Sequence, residues 1–445
     1  MTTTNKEILR LAVPSILANI TIPLVGIVDT AIVGHLSGAA AIGGIAIGTM
    51  LFDLLYWNFG FLRVGTSGLA AQAYGAGNRD ECTKIFDRSV ALAAIAAVFV
   101  WAIQWLFVSV VLSIVPCSDE VAAVARDYFF VRILAAPATL SLMAFKGWFI
   151  GMQDTRSPMA TDILVNVVNM IASYALAVYT PLGVVGVAWG TVIAQYAGLL
   201  LAFILLAKRY PDVWIQCHNN QTFRDAMHWR EMKRMLKLNG NLFIRSLCFM
   251  IVYVGFTSLA SQYGDTELAV SSILMKLFMF FSFFVDGFAY AGEALVGKAF
   301  GEIKVSGERL EVRGIIHSLF DWSIGVGLLF TAIYALWGDE CLAGMTSDTQ
   351  VLDAASKYMG WLIAMPLVSA LAFMWDGVYV GATAGVQIRN AMIWAAAGFV
   401  VCYIATYRFC GSQALYIAYF AHLIARVVYL TVKWKPIEQN ASAGL

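Results

Sequence analysis

The segment RSVALAAIAAVFVWAIQWLFVSVVLSIV (residues 88–115) carries no charged side chain after its first residue. A helix needs only about 20 apolar residues to cross the hydrocarbon core of a bilayer. The whole chain of 445 residues has this character, since 60% of its residues are hydrophobic and 13% are charged. Soluble domains contain about 45–50% apolar and about 25% charged residues. The composition therefore excludes a water-soluble protein and predicts an integral membrane protein.

Apolar stretches of spanning length recur twelve times along the sequence. They predict helices at 7–34, 41–73, 88–115, 125–151, 160–182, 184–207, 238–261, 268–299, 315–338, 356–381, 391–411 and 413–433. The predicted fold is an all-α membrane protein with twelve transmembrane helices in two six-helix lobes, related by a pseudo-two-fold axis along the membrane normal. We expect an N-terminal lobe over 1–207, a cytoplasmic linker over 208–237, a C-terminal lobe over 238–433 and a cytoplasmic tail over 434–445.

Basic residues between the predicted spans fall mostly on one side of the membrane. Nineteen Lys and Arg residues lie on that side, and only Arg126, Lys357 and Arg408 lie on the other. The positive-inside rule places the richer side in the cytoplasm. We therefore expect a multi-pass protein of the cell (inner) membrane with both termini cytoplasmic.

The two halves of the sequence resemble each other at a nearly constant offset. The segment LAAQAYG (69–75) corresponds to LVGKAFG (295–301), and GWFIG (147–151) corresponds to GVYVG (377–381). Each half contains six spans, so the two repeats begin on the same side of the membrane. This pattern indicates a duplicated six-helix unit.

Asp29 is the most informative charged residue inside a predicted span. An ionisable group near the bilayer centre costs about 2.5–3.5 kcal/mol on insertion scales, so such residues are functional candidates. Pro23 precedes Asp29 by about one and a half helical turns. It removes a backbone donor and crowds the carbonyl group of Asn19, which makes this helix bendable. A protonatable acid on a hinged helix is a plausible coupling device, although a hydrogen bond to Asn19 or a neighbouring helix would also explain it.

Charged residues also lie inside the predicted spans of the second half. Asp286 and Glu293 are two helical turns apart and share one face of the eighth span. Asp376 precedes the repeated glycine of the tenth span, where the first half has Lys146. Arg245 could neutralise any of these three acids, because a buried charge is tolerated mainly when it is paired. The group is predicted to be a charged network that is either structural or functional.

Uncharged residues of the predicted spans are also candidates for a functional site. Asn169 and Ser173 share a face of the fifth span and, with Thr191 of the sixth and Asp29, could line a polar pocket. Interhelical hydrogen bonding would also account for them. Met and aromatic residues are concentrated from Met275 to Tyr290. Met275, Met279 and Tyr290, with Lys146, are candidates for a substrate cavity, whereas contact with lipid would explain most of the aromatic residues.

Several function classes are excluded by missing motifs. The chain has no GxxxxGK[ST] loop for ATP, and its five His and seven Cys residues show no metal-ligand spacing. No nucleophile–base motif indicates an enzyme, and the net charge of +1 argues against a nucleic-acid partner. We expect a monomer without cofactor or metal, in contact with membrane lipid.

Four segments resemble one family in order and across the whole length. They are IVDTAIVGHL (27–36), GLAAQAYGAGN (68–78), VDGFAYAGEALVGKAFG (285–301) and WDGVYVGAT (375–383). The chain resembles the multidrug and toxic compound extrusion (MATE) transporters, and within them the DinF branch. The resemblance implies a two-lobed secondary transporter that exports amphipathic, often cationic, compounds against an inward proton or sodium gradient. It also implies that Asp29 is the acid whose protonation bends the first helix, and that Asn169 and Thr191 belong to the associated cation pocket.

One departure from the family pattern concerns the coupling ion. Many relatives carry an aspartate where this chain has Ser173. A pocket with one carboxylate holds a metal cation less firmly than a pocket with two. We therefore predict antiport of substrate against H⁺ rather than Na⁺. The alternatives are a sodium-coupled exporter, a lipid-linked oligosaccharide flippase of the same superfamily, and a membrane scaffold without transport activity.

Overall fold

The computed structural model describes residues 3–36, 39–115, 117–217, 219–307 and 312–442, and these residues form helices and short connections without a β-strand. Twelve of the helical segments in this part of the chain are long and apolar enough to cross a membrane. The twelve spans predicted from the sequence are therefore confirmed, and the protein is an all-α membrane protein.

The first six spans and the linker contain ten α-helices. They are α1 (Thr3–Leu36), α2 (Ala39–Tyr56), α3 (Phe61–Gly75), α4 (Arg79–Ile114), α5 (Asp119–Arg132), α6 (Ala136–Gly151), α7 (Arg156–Tyr179), α8 (Val184–Arg209), α9 (Pro211–Cys217) and α10 (Asn220–Ala226). Polar side chains cap the first turns of α4, α5 and α10. The side chain of Asn78, for example, accepts a hydrogen bond from the backbone N–H of Glu81 at 3.0 Å at the start of α4.

The second six spans contain seven α-helices. They are α11 (Trp229–Ala260), α12 (Asp265–Ser306), α13 (Val312–Ala343), α14 (Thr349–Ser356), α15 (Met359–Gly381), α16 (Gly385–Cys410) and α17 (Gln413–Ser442). Gly307 ends α12 in the left-handed conformation, a common way for a helix to stop.

Two spans of the first half are interrupted by short 3₁₀ segments. Trp57–Gly60 separates α2 from α3, and Ile133–Ala135 separates α5 from α6. The second interruption is caused by a proline. Pro137 has no amide hydrogen to donate to the carbonyl group of Ile133, which instead accepts a hydrogen bond from the N–H of Ala136. The sequence predicted continuous spans at both places.

The chain divides into two compact units, each with its own apolar core. The N-terminal unit comprises Leu17–Ala70 and Asn78–Leu236, and the C-terminal unit comprises Met1–Ile16, Ala71–Gly77 and Lys237–Leu445. The core of the first contains Phe52, Phe129 and Leu140, and the core of the second contains Phe256, Phe278 and Tyr416. Residues of the predicted linker pack on α4, where Arg88 Nε donates to the carbonyl oxygen of Ala226 at 2.8 Å.

Backbone conformation repeats between the two halves. Positive φ angles occur at Gln153 (61°) and Thr383 (54°), and at Gly77 and Gly307 (both 68°). The two pairs have the same separation in sequence, and Gly183 and Gly411 form a third pair at nearly that separation. Since few residues adopt positive φ, their recurrence at matched positions supports duplication of one structural unit.

The segments GWFIG (147–151) and GVYVG (377–381) begin with a glycine that packs in the same way in both halves. A β-carbon at Gly147 would lie 2.2 Å from the carbonyl oxygen of Arg63, and one at Gly377 would lie 2.4 Å from that of Ala289. Arg63 and Ala289 occupy corresponding positions of the two repeats, at the offset that relates LAAQAYG to LVGKAFG. Only glycine allows two helices to approach this closely, so the repeated motif marks a repeated helix crossing.

Candidate ion-coupling site

Asp29 lies near the end of α1, with its side chain half-buried in the N-terminal unit. The carboxylate interacts with the hydroxyl group of Ser173 and electrostatically with the guanidinium of Arg132. Its oxygen Oδ1 is buried and has no hydrogen-bond partner among the described residues. Pro23 lies within the same helix, which continues through it. The acid is therefore held by two neighbours and still has one free acceptor atom.

The polar residues predicted on the fifth and sixth spans come together between α7 and α8. Asn169 Nδ2 donates a hydrogen bond to Thr191 Oγ1 at 2.9 Å, and Ser173 Oγ lies 3.3 Å from the carbonyl oxygen of Val187. All three side chains are buried. Gly190 makes the approach possible, because a β-carbon there would lie 2.4 Å from Ser173 Oγ. Asn169 Oδ1 is a second buried acceptor without a donor in the described part of the chain.

Arg132 is a basic residue of the fourth span that interacts with two acids of the N-terminal unit. Its guanidinium donates to Tyr128 Oη at 3.0 Å and lies 4.6 Å from the ring centroid of Phe52. It also interacts electrostatically with Asp29 and Asp53. Arg132 thus links the first, second and fourth spans, and this cluster contains two acids and one base. An arginine inside a span is costly, which makes Arg132 a functional candidate. Its acidic partners lie on other helices, so they could not be read from the neighbouring sequence.

The N-terminal unit contains two further polar contacts of interest. Asn166 donates to Thr21 Oγ1, which joins α7 to α1 two turns before Asp29. Lys146, a candidate for the substrate cavity, donates to Asp162 Oδ2 at 2.5 Å, so its charge is balanced within the unit. The side chains of this ion pair are 20% and 27% exposed, which leaves both accessible.

The charged network of the C-terminal unit is centred on Asp376. Its oxygen Oδ2 accepts hydrogen bonds from Arg245 Nη2 at 2.5 Å and from Arg426 Nη2. Arg245 therefore pairs with Asp376 rather than with Asp286 or Glu293, which take part in other interactions. Glu293 is buried and Asp286 is half-buried. Sequence reasoning did not connect Arg426 to Asp376.

The Met and aromatic candidates lie on α12. Met275 is 4% exposed and belongs to the apolar core of the C-terminal unit, whereas Met279 and Tyr290 are half-buried. Of the aromatic residues between them, Phe278, Phe281 and Phe288 are buried as well. Much of this segment thus packs against helices of its own unit. No group of three potential metal ligands occurs among the described residues.

The MatE family model matches residues 14–175 and again residues 242–407. The two matches cover most of the chain and coincide with the two repeats. The chain is a member of the MatE family. It is accordingly a multi-pass membrane transporter and not an enzyme, and the family resemblance of its sequence motifs is confirmed.

Similar proteins place this MATE transporter in the DinF branch. DNA damage-inducible protein F of Escherichia coli (strain K12) is 33% identical over 443 residues, covering 99% of this chain and 94% of that protein. The probable multidrug resistance protein NorM of Thermotoga maritima is 25% identical over 78% of this chain and 74% of its own length. Among solved structures, a MATE protein in the straight conformation aligns with a TM-score of 0.85 at 18% identity, over 100% of this chain and 97% of that one. The last comparison shows the shared fold.

Proposed function

We propose that this MATE transporter is a proton-coupled antiporter of the inner membrane that exports amphipathic, often cationic, organic compounds. The observation that carries the proposal is Asp29, a half-buried carboxylate inside a span with one acceptor oxygen free of any described donor. Such a group can accept a proton from one side of the membrane and release it to the other. Export of organic compounds rests on the family and on the multidrug transporters among its relatives.

Protonation of Asp29 would weaken its hold on its neighbours. The charged form attracts Arg132 and accepts a hydrogen bond from Ser173, and the neutral form loses the first interaction and most of the second. Pro23 has no backbone N–H to donate to the carbonyl group of Asn19. Bending of α1 at Pro23 therefore becomes easier once Asp29 carries a proton, and this couples ion binding to a change of helix shape.

The oxygen ligands near Asp29 favour binding of a proton over binding of Na⁺. A metal cation needs several oxygen ligands, whereas a proton needs one carboxylate oxygen. The oxygens near Asp29 come from Ser173 and, one turn away on α7, from Asn169, and the guanidinium of Arg132 would repel a metal ion from the same carboxylate. A second carboxylate at position 173 would favour sodium coupling.

A gradient-driven transport assay in proteoliposomes tests the proposal. Fluorescent organic cations are loaded, and either a pH gradient or a sodium gradient is imposed. We expect the pH gradient alone to drive transport, and Asp29→Asn to abolish it while substrate binding and thermal stability stay near wild type. The matched control is Asp212→Asn, which removes an exposed carboxylate of the linker. Sodium-driven transport at constant pH, or full activity of Asp29→Asn, would refute the mechanism.

We further propose that the protein works as a monomer surrounded by lipid, with both termini and the segment 208–237 in the cytoplasm. The excess of basic residues on one side of the spans supports this orientation.

A further inference from the structure

The cluster around Asp376 contains one more positive charge than negative charges. Asp376 Oδ2 is the shared acceptor for Arg245 and Arg426, and no other ion pair of either arginine exists among the described residues. One carboxylate balances one guanidinium, so one positive charge remains uncompensated. Arg426 is 1% exposed and Asp376 is 6% exposed. A surplus charge at such depth is unfavourable unless a counter-ion joins it.

Unused hydrogen-bond donors show where a counter-ion would bind. The Nε atoms of Arg245 and Arg426 are both buried and have no acceptor in the described part of the chain. Asp376 Oδ1 is also without a partner there, but a single carboxylate cannot neutralise two guanidiniums. A guanidinium offers five N–H donors in a rigid fork that matches a carboxylate. The cluster therefore presents two partly used forks and lacks a second anionic acceptor.

One of the two guanidiniums is accessible. The side chain of Arg245 is 23% exposed, whereas that of Arg426 is 2% exposed. An anion could therefore reach the cluster at Arg245 without displacing the buried pair of Arg426 and Asp376.

Aromatic residues continue the same helix face from Arg245. Phe249 and Tyr253 follow it at successive i, i+4 positions on α11, so the three side chains share one face. The two rings are stacked with centroids 6.5 Å apart, and both residues are half-buried. Such a face can hold the apolar part of a ligand whose charged head lies at Arg245.

We propose that Arg245 and Arg426 form a binding site for the carboxylate group of an amphipathic anion, whose apolar part lies along Phe249 and Tyr253. The transporter would then accept anionic or zwitterionic amphiphiles in addition to cations. This extends the substrate class of the proposed exporter and does not depend on Asp29 as the coupling acid. The sequence suggested that Arg245 neutralises an acid, in a network that is either structural or functional.

The test compares two probes that differ only in the charge of the head group. Radiolabelled decanoate and decyltrimethylammonium are bound at equilibrium to the full-length protein in phosphatidylcholine nanodiscs, without an ion gradient. Arg245→Gln leaves the neutral pair of Asp376 and Arg426, so the variant should fold. We expect it to bind decanoate about tenfold more weakly or worse and to bind decyltrimethylammonium as wild type does. Arg245→Lys keeps the charge but loses the planar guanidinium, so its affinity for decanoate should lie between those of wild type and Arg245→Gln.

Control variants separate a specific site from general attraction. Lys276→Gln removes an exposed positive charge from α12 and should leave decanoate binding unchanged. Asp376→Asn removes the carboxylate that competes with decanoate for the two guanidiniums and should tighten decanoate binding.

An equal loss of decanoate binding in Arg245→Gln and Lys276→Gln would overturn the proposal, as would a folded Asp376→Asn that binds decanoate no more tightly. Displacement of decanoate by phosphatidylglycerol in the nanodisc would assign the site to a membrane lipid and overturn it as a substrate site. Because no gradient is used, a failure of proton coupling cannot cause any of these results.

Discussion

Gly75 lies directly against the backbone of Lys298, where a β-carbon at position 75 would come within 1.9 Å of the carbonyl oxygen. The reciprocal contact joins Gly301 to Gln72, with a corresponding distance of 2.1 Å. Gly301 is the counterpart of Gly75 in the second repeat, and Lys298 is the counterpart of Gln72. The ends of α3 and α12 thus meet in a reciprocal crossing within the C-terminal unit, as expected of two copies of one ancestral helix.

Gly75→Ala should destabilise the protein, because a β-carbon would have to push two backbones apart. Overpacking of this kind costs about 1–3 kcal/mol or more. Thermal unfolding of the purified protein in nanodiscs would report it. Gly240→Ala is the matched control, since nothing lies within 4 Å of a β-carbon at that position in α11. If both variants unfold at the wild-type temperature, the close crossing of α3 and α12 is wrong.

Loss of Arg132 should be costly, and removal of one acid should partly reverse the cost. Arg132→Gln leaves Asp29 and Asp53 without the guanidinium that attracts both, so the half-buried carboxylate of Asp29 must stay charged without that attraction or take up a proton. The double variant Arg132→Gln with Asp53→Asn removes one of the two remaining charges. Its unfolding temperature should exceed that of Arg132→Gln, and the measured coupling gives the strength of the contact. Strictly additive effects would show that Asp53 and Arg132 do not interact.

Gln153 has a φ of 61°, a conformation that strains most side chains but not glycine. Gln153→Gly should therefore leave stability unchanged or raise it by up to about 1 kcal/mol. A β-branched residue is least tolerated at positive φ, so Gln153→Val should lower stability by about 1–2 kcal/mol. Gln153→Gly should unfold at the wild-type temperature or above it, and Gln153→Val should unfold below it. A stabilising valine would contradict the backbone conformation at this turn.

Cysteine labelling tests the orientation of the protein and the packing of its linker. A membrane-impermeant maleimide added to intact cells should label Cys410, which is exposed and is expected on the external side. Cys217 of the linker should react only after permeabilisation, and then slowly at neutral pH. Burial, reinforced by the carboxylate of Asp87, raises the pKa of the Cys217 thiol and lowers its thiolate fraction.

The rate at Cys217 should increase as the pH rises, because only the thiolate reacts. Asp87→Asn should raise the rate at a fixed pH by removing a negative charge next to the thiol. Labelling of Cys217 in intact cells would reverse the orientation, and fast labelling at neutral pH would show that the linker does not pack as described.

Local sequence signals predicted the helices, and non-local contacts explain what was missed. Twelve spans follow from hydropathy, and the meeting of Asn169 with Thr191 follows from their places on consecutive spans. An arginine inside a span is costly, but no local pattern could assign Arg426 to Asp376, which lies on another helix 50 residues earlier in the sequence. The break after Arg132 had a local signal, since Pro137 removes a helical donor. The break after Tyr56 had no comparable signal.

The 3₁₀ segments of the second and fourth spans are places where a change of helix type would twist the span. A 3₁₀ helix rises about 2.0 Å and turns about 120° per residue, whereas an α-helix rises about 1.5 Å and turns about 100°. Winding Trp57–Gly60 into α-helix would therefore shorten the second span by about 2 Å and twist its two ends by about 80° relative to each other. Asp53 lies on one side of this segment and Arg63 on the other. A small exchange of backbone hydrogen bonds would thus rotate Asp53 and Arg63 relative to each other without unfolding either helix.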